Sequence, residues 1–528
     1  MTGWRPGRDP RAHRHPGPAG VLRDPGGRRV TVIGGGIAGL AAAAGLAERG
    51  VAVTLLEAAP QLGGRVRAWP VPGDPERTMS RGFHAFFRQY YNLRALLRRA
   101  DPALGRLVPV EDYPLVLAGG HRDSFTGIPR TPPLNLAAFV LRSPSFTVRD
   151  LARVDVAAAL ELLDVRFPRT FADYDGESAA EFLDRLRFPD AARHLALEVF
   201  ARSFFADPRE FAAGELVAMF HSYFVGSAEG LLFDVPDDDY DTALWAPLAR
   251  YLQRRGVEIR TGAEVLGVDL TGPQARTVLA DAEHAADAVV LAVDPRTARR
   301  LVADGAGLPG GSWRDAVAAG RSAPPFAVWR LWLDRAVDAD RSPFLGTSGY
   351  GPLDNVTVLE RFEAGAARWA QRHRGSVVEV HAYAVPPGTD EVALREQLRA
   401  ELHRVYPETA AAGVRAQEWL LQQDCPLLDP SGWQRRPGVL TPDPRLVLAG
   451  DWVRSDLPVA LMERAATTGW AAANTVLSGW GVAGHDLWST PMAGRHPVAG
   501  VTRRVLAGRP GRRRPGGQPG YSPRARSA

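Results

Sequence analysis

Val30-Thr-Val-Ile-Gly-Gly-Gly-Ile-Ala-Gly-Leu-Ala-Ala-Ala-Ala-Gly-Leu46 reads as a strand, a glycine turn and a helix. The β-branched run from Val30 to Ile33 suits a strand buried on both faces of a parallel sheet. Gly34 permits the tight turn and Gly36 lets backbone approach a pyrophosphate. Gly39 lets the helix lie against the strand, and the helix N-terminus offers free N–H groups to an anion. A second strand follows from Val51 and ends at Glu57, about twenty residues beyond the glycines, where an acid takes the hydroxyls of a ribose. Spacing and context together describe a dinucleotide-binding β-α-β unit.

Two other readings of this stretch fail on common ground. Residues 30–47 are uncharged and long enough for a membrane span, and Arg28-Arg29 before them mimics a twin-arginine export signal. Glycines clustered behind a β-branched run describe a turn rather than one continuous helix. Neither reading gives Glu57 a purpose, and cleavage after export would remove the phosphate loop.

A chain of 528 residues with 45% apolar residues predicts two soluble domains. Its one cysteine, Cys425, excludes a disulfide framework, a four-cysteine zinc site and an iron–sulfur cluster held by the chain's own thiolates; no metal is expected. A single cysteine is compatible with a reducing cytoplasm. No lysine occurs, which rules out Schiff-base chemistry with pyridoxal phosphate and a phosphate-loop lysine. The net charge of +5 is uneven: residues 1–29 carry +5, residues 487–528 carry +9, and the body between them −9. Both ends are rich in Pro, Gly and Arg without apolar periodicity, so residues 1–28 and 486–528 read as disordered basic tails, either suited to an anionic membrane surface or serving solubility alone. The acidic body contains no nucleic-acid module, and no nucleic-acid partner is expected.

Gln61-Leu-Gly-Gly-Arg-Val66 supplies a second glycine turn, with Arg65 as counter-charge to a diphosphate. Arg81-Gly-Phe-His-Ala-Phe-Phe-Arg-Gln-Tyr-Tyr91 leads into a helix to about Arg99. Phe86, Tyr90, Leu93 and Leu97 recur at helical spacing and four arginines stand around them, which reads as an amphipathic surface helix able to dock on a membrane. Residues 105–225 read as mainly helical, Gly256 to Asp269 as two short strands, Ala288 to Asp294 as a buried strand, and 325–385 as an antiparallel sheet. Arg445-Leu-Val-Leu-Ala-Gly-Asp451 is a last strand, followed by a helix from about Met462 to Asn474.

These pieces resemble the FAD-dependent amine oxidase and phytoene desaturase superfamily. Within it the wording is similar to the actinobacterial carotene desaturase/methyltransferases, the isorenieratene synthases. The closer likeness rests on Gly82 to Leu97, on Phe125-Thr-Gly-Ile-Pro-Arg-Thr-Pro-Pro133 and on Ala192 to Phe200. Ser203 to Pro208, Met219 to Phe224 and Gly230-Leu-Leu-Phe-Asp-Val-Pro236 add to it, and the whole spans residues 29–485. The resemblance implies an α/β fold: a discontinuous FAD-binding Rossmann-like domain (29–105, 226–300, 440–485) with an inserted mixed α+β substrate domain (106–225, 301–439).

It further implies FAD held by Gly34, Gly36, Gly39, Glu57, Gly63, Gly64 and Arg65. Val265 is expected at the adenine, and Gly450, Asp451 and Met462 at the flavin end. Met462-Glu-Arg-Ala465 stands where relatives carry smaller residues, which leaves the flavin contacts there open. The implied reaction converts β-rings of β-carotene to aromatic φ-rings by dehydrogenation with an intramolecular methyl shift. His84 is the candidate acid/base; Glu229 and Asp234 are weaker candidates. Acyclic carotene desaturation, redox-neutral isomerisation, and lipid carriage without FAD turnover remain alternatives. A membrane quinone is an expected electron acceptor, and the cytoplasmic face of the cell membrane the expected location.

Overall fold

The opening motif folds into the second and third strands of a five-stranded parallel sheet in the computed structural model, which describes residues 7, 9–144, 155–187 and 204–495. Arg29–Ile33 and Ala52–Glu57 run parallel, joined by the helix Ile37–Ala47. The full order is Glu258–Thr261, Ala52–Glu57, Arg29–Ile33, Ala288–Leu291, Leu446–Leu448. Four separate chain segments therefore build one nucleotide-type sheet.

The first helix is buried along its whole length, and small residues make that possible. A Cβ on Gly39 would lie 1.8 Å from the Gly34 carbonyl oxygen, so only glycine lets helix meet strand here. On the other side, Gly469 of the C-terminal helix Leu461–Gly479 sits so close that a Cβ there would lie 2.2 Å from the Ala38 oxygen. Sheet and C-terminal helix thus grip the first helix between them.

The second lobe is a seven-stranded sheet in the order Val414–Gln422, Phe326–Leu333, Ser376–Ala382, Asn355–Val358, Phe344–Ser348, Leu115–Leu117, His121–Asp123. It is antiparallel except where Phe344–Ser348 pairs with Leu115–Leu117. One face packs on the helix Glu391–Val405 through Leu394, Leu398 and Leu402. A three-stranded sheet couples the lobes: Phe233–Pro236 lies between Phe86–Phe87 and Leu107–Pro109, with Phe233 opposite Phe87 and Asp234 opposite Phe86.

Three expectations need correction. Neither residues 1–28 nor 486–528 are a disordered tail throughout, because His13–His15 pairs antiparallel with Leu487–Ser489. Arg14 bonds Asp486 at 2.7 Å, and the buried Asp9 carboxylate accepts from Ala228 N and pairs with Arg495. Composition hid this, since the ordering contacts come from residues more than 200 positions away. The predicted arginine-studded surface helix is Tyr91–Leu97, and Asn92, Leu93, Arg94, Leu96 and Leu97 are all buried. Arg88 and Arg94 pair with Asp234, and Arg99 pairs with Glu48 over the Trp470 ring. Arg94 is buried and Arg88, Arg98 and Arg99 are half-buried, so the helix is packed into the protein rather than lying as an amphipathic helix on its surface. Third, 105–225 is not mainly helical at its start, where Leu107–Pro109, Leu115–Leu117 and His121–Asp123 are strands.

The Ala192 to Phe200 motif and the tail beyond residue 495 lie outside the described residues. Among the described residues no helix is long and apolar enough to cross a membrane.

Candidate functional site

A cavity of ≈ 480 Å³ begins where the parallel strands end and runs to the seven-stranded sheet. Its walls include Gly34, Gly36, Glu57, Gly63, Gly64, Arg65, Val265, Gly450, Asp451, Met462 and His84. Gly39 stands behind the wall, packed on the Gly34 carbonyl. The sequence-derived residues thus assemble around one space.

Two glycine turns face each other on one part of its wall. Gly63 N donates to Gly35 O at 2.9 Å, and Gly36 and Gly63 form an isolated bridge. Gly63 and Gly64 have φ of 101° and 58°, which a side chain would strain. A Cβ on Gly36 would meet nothing nearer than the Gly64 Cα at 3.7 Å, so this gap is kept open by glycine alone. The first helix begins here with no side-chain cap and no acid in its first turn, leaving its N–H groups to an anion. Glu57 is held by Gly35 N at 2.6 Å and Ala59 N at 2.8 Å. Val265 lines the same cavity and its backbone oxygen accepts from Arg300 at 3.2 Å.

Deeper in, Arg65 and Asp451 form a two-pronged ion pair of 2.8 and 2.5 Å across 386 positions of sequence. Burial opposes the Arg65 charge, but Asp451 more than offsets it and holds the guanidinium above its ordinary range. Both residues were expected at the cofactor separately; the fold couples them. Gly450 approaches with φ of 144°. Leu461, at φ 53°, turns the chain sharply into the C-terminal helix and sets Met462 on the wall.

The bulk of Met462-Glu-Arg-Ala465 does not fill the cavity. Glu463 points away, accepting from Asn92 N at 2.8 Å and Leu93 N at 2.9 Å, and burial pushes it up to about 8. Arg464 turns to Glu215 and to the Val459 oxygen. Only Met462 and Ala465 of the four line the space.

Another part of the wall is aromatic. Phe83 stacks on Phe344 with centroids 4.4 Å apart; Phe87, Tyr113, Phe233, Phe205 and Phe326 continue the wall. His84 is on this wall, but its Nδ1 lies 2.8 Å from the Gly82 oxygen, which also accepts from Tyr240. Burial, with His381 and Arg81 nearby, pulls His84 down to about 4, so at neutral pH it is an uncharged imidazole donating to Gly82. Glu229 and Asp234 are taken up by structure: Glu229 accepts from Asp9 N at 3.1 Å, and Asp234 binds Arg88 and Arg94.

Sequence reasoning missed a polar cluster on the same wall. In Ser376–Ala382 and the next residue, Glu379, His381 and Tyr383 share one face, while Val378, Val380 and Ala382 fill the hydrophobic core on the other. Arg330 stands opposite Glu379 and Asn355 opposite His381. Arg330 bonds Glu379 Oε2 at 2.7 and 2.8 Å. Burial alone would raise Glu379; Arg330 and His381 outweigh it and hold the carboxyl at about 2. Polar residues at every second position of an otherwise apolar buried strand were the available signal.

The residues fit FAD: a pyrophosphate cradle built on glycines, an acid for the ribose, and, beyond the Arg65–Asp451 pair, an aromatic wall for a ring system. Among the described residues no cluster suited to a metal occurs.

The model of the flavin containing amine oxidoreductases matches residues 37–477. A carotenoid phi-ring synthase of Streptomyces griseus is 55% identical over 518 residues, covering 96% of this chain and 98% of that protein. A carotenoid phi-ring synthase of Chlorobaculum tepidum is 27% identical, covering 85% and 88%. Among solved structures, cyclohexylamine oxidase from Brevibacterium oxydans superposes with a TM-score of 0.62 at 14% identity, over 86% of this chain and 99% of that one.

Proposed function

The chain belongs to the flavin-containing amine oxidoreductase family, and from that premise we propose that it converts carotenoid β-rings to aromatic φ-rings. It is an FAD-dependent carotenoid oxidoreductase. One observation carries the reading: the cradle for the cofactor opens directly into an aromatic chamber, in a chain 55% identical to a carotenoid phi-ring synthase over nearly its full length. FAD, when bound, accepts hydride. Gly34, Gly36, Glu57, Gly63, Gly64 and the Arg65–Asp451 pair would hold it, with Val265 and Met462 lining the same cavity. Phe83, Phe87 and Phe233 exclude water from the ring and offer π-faces to positive charge developing on it.

A ring losing two hydrides and two protons, with one methyl moved to its neighbour, becomes the trimethylphenyl product. A carotenoid resides in lipid, and the protein works at the cytoplasmic face of the membrane. Supporting this, the helix Leu134–Arg142 exposes Leu134 and Leu141 at 60% and 82%. Its Phe139 stacks on Phe125, which stacks on Tyr113 of the cavity wall, at 5.0 and 4.5 Å. A quinone in that membrane is the proposed electron acceptor.

The test is expression in cells that accumulate β-carotene, with pigments analysed by absorption and mass. Product lighter by four hydrogens per ring, with an aromatic end group, is expected. Unchanged β-carotene with conversion of an acyclic precursor, or a purified protein without flavin colour, overturns the reading.

A further inference from the structure

Aromatisation requires a base as well as a hydride acceptor, and resting on the reading above, we propose that Tyr383 removes the ring protons, passing its own proton to His381. Glu379 orients His381 and balances the charge it gains.

The geometry fixes the direction of transfer. His381 Nε2 lies 2.8 Å from Glu379 Oε1 and 3.5 Å from Phe83 N. The shorter contact, to an ionised carboxylate, assigns the proton to Nε2 and leaves Nδ1 an acceptor. Tyr383 Oη is 2.6 Å from that Nδ1 and so donates its hydroxyl proton to it. Asn355 Nδ2 lies 2.9 Å from the same phenolic oxygen and supports negative charge there. His381 and Tyr383 line the cavity, whereas Glu379 lies behind them, bound to Arg330. The order carboxylate, imidazole, hydroxyl, cavity is the arrangement by which a weak oxygen base is made competent.

The step balances. When the ring carries a cation after hydride loss and methyl migration, a neighbouring C–H bond breaks and its electron pair becomes the new ring double bond. The proton goes to Tyr383 Oη as the Tyr383 proton moves to His381 Nδ1. The imidazolium formed lies against Glu379, and the phenol is restored. Gly82 keeps the ring in place: a Cβ there would lie 2.6 Å from His381 Cε1. His84, by contrast, donates its Nδ1 proton to a backbone carbonyl and, among the described residues, bonds no carboxylate.

The experiment compares wild type, Tyr383→Phe, His381→Gln and the double variant as flavin-loaded proteins with β-carotene, in H2O and D2O. Turnover is counted per bound flavin. Tyr383→Phe is expected to lower kcat by ~100-fold or more, with KM and flavin content within about twofold of wild type. His381→Gln is expected to lose a comparable factor, and the double variant to be no worse than Tyr383→Phe, because members of a relay act as a unit. The wild-type slowing in D2O should vanish in Tyr383→Phe. Variants within about threefold of wild type, or single losses that multiply in the double variant, overturn the relay. Absence of aromatic product from wild type overturns the function instead.

Discussion

Alanine at Gly36 and alanine at Gly39 change one motif by one methyl each, yet the structure separates their effects. At Gly36, where φ is −75°, the new Cβ would meet only the Gly64 Cα at 3.7 Å, an ordinary contact. The protein without cofactor should keep its stability. The methyl projects into the gap between the two glycine turns, however, and holds a pyrophosphate off the helix N-terminus. Losing one backbone hydrogen bond to a charged oxygen costs about 1.5–3 kcal/mol, or about 10- to 100-fold in flavin affinity. At Gly39 the Cβ would lie 1.8 Å from the Gly34 oxygen, where real Cβ atoms are not found below 3.0 Å. The helix cannot retreat by that 1.2 Å, because Gly45 and Gly469 already bring it against the C-terminal helix. Overpacking of this kind costs about 3 kcal/mol or more, and it acts on the fold with or without flavin. Thermal unfolding of the apoprotein, paired with flavin titration, reads both quantities. Full flavin affinity in Gly36→Ala, or an unchanged apoprotein Tm in Gly39→Ala, would refute the reasoning.

His221 is fully buried, its Nε2 donating to the Pro491 oxygen at 2.7 Å, and burial pulls it down to about 4. The folded state binds fewer protons than the unfolded one, whose histidine titrates near 6.5. Stability from this group is therefore complete above pH ~6.5 and lost as pH falls through 4, by about 3 kcal/mol. His221→Gln keeps the donor and should flatten the fall in Tm between pH 6.5 and 4; parallel curves would count against it. Leu134→Ser/Leu141→Ser should reduce flotation with anionic vesicles severalfold while leaving flavin content unchanged; equal flotation removes this helix as the docking face.

The stretch from Val30 to Glu57 was legible because everything it needs is local: a β-branched strand, a turn only glycine makes, a small-residue helix and an acid at fixed spacing. The Arg65–Asp451 pair was not, since nothing near either residue names the other. The helix at Tyr91 was misread for a related reason. Arginine at helical spacing signals solvent unless its partners are known, and here Asp234 and Glu48 lie on distant segments. The N-terminal strand failed on composition, where proline and arginine outweighed one buried aspartate. His84 drew attention as a histidine inside a distinctive motif. His381 did not, although alternation of polar and apolar residues from Val378 to Tyr383 marks a strand with a polar face turned to something other than water.

The parallel sheet also sets a timetable. Its two glycine-motif strands leave the ribosome before the second lobe, whereas the strand Leu446–Leu448 and the following Asp451 emerge only after the seven-stranded sheet has been made. The strand pairing of His13–His15 with Leu487–Ser489 cannot close before residue 489 has emerged. Such long-range pairings are slow to form and leave sheet edges open meanwhile. Cofactor capture is therefore a late event in the birth of this protein. Scarcity of flavin during rapid expression will show first as aggregated nascent chains rather than as inactive soluble enzyme.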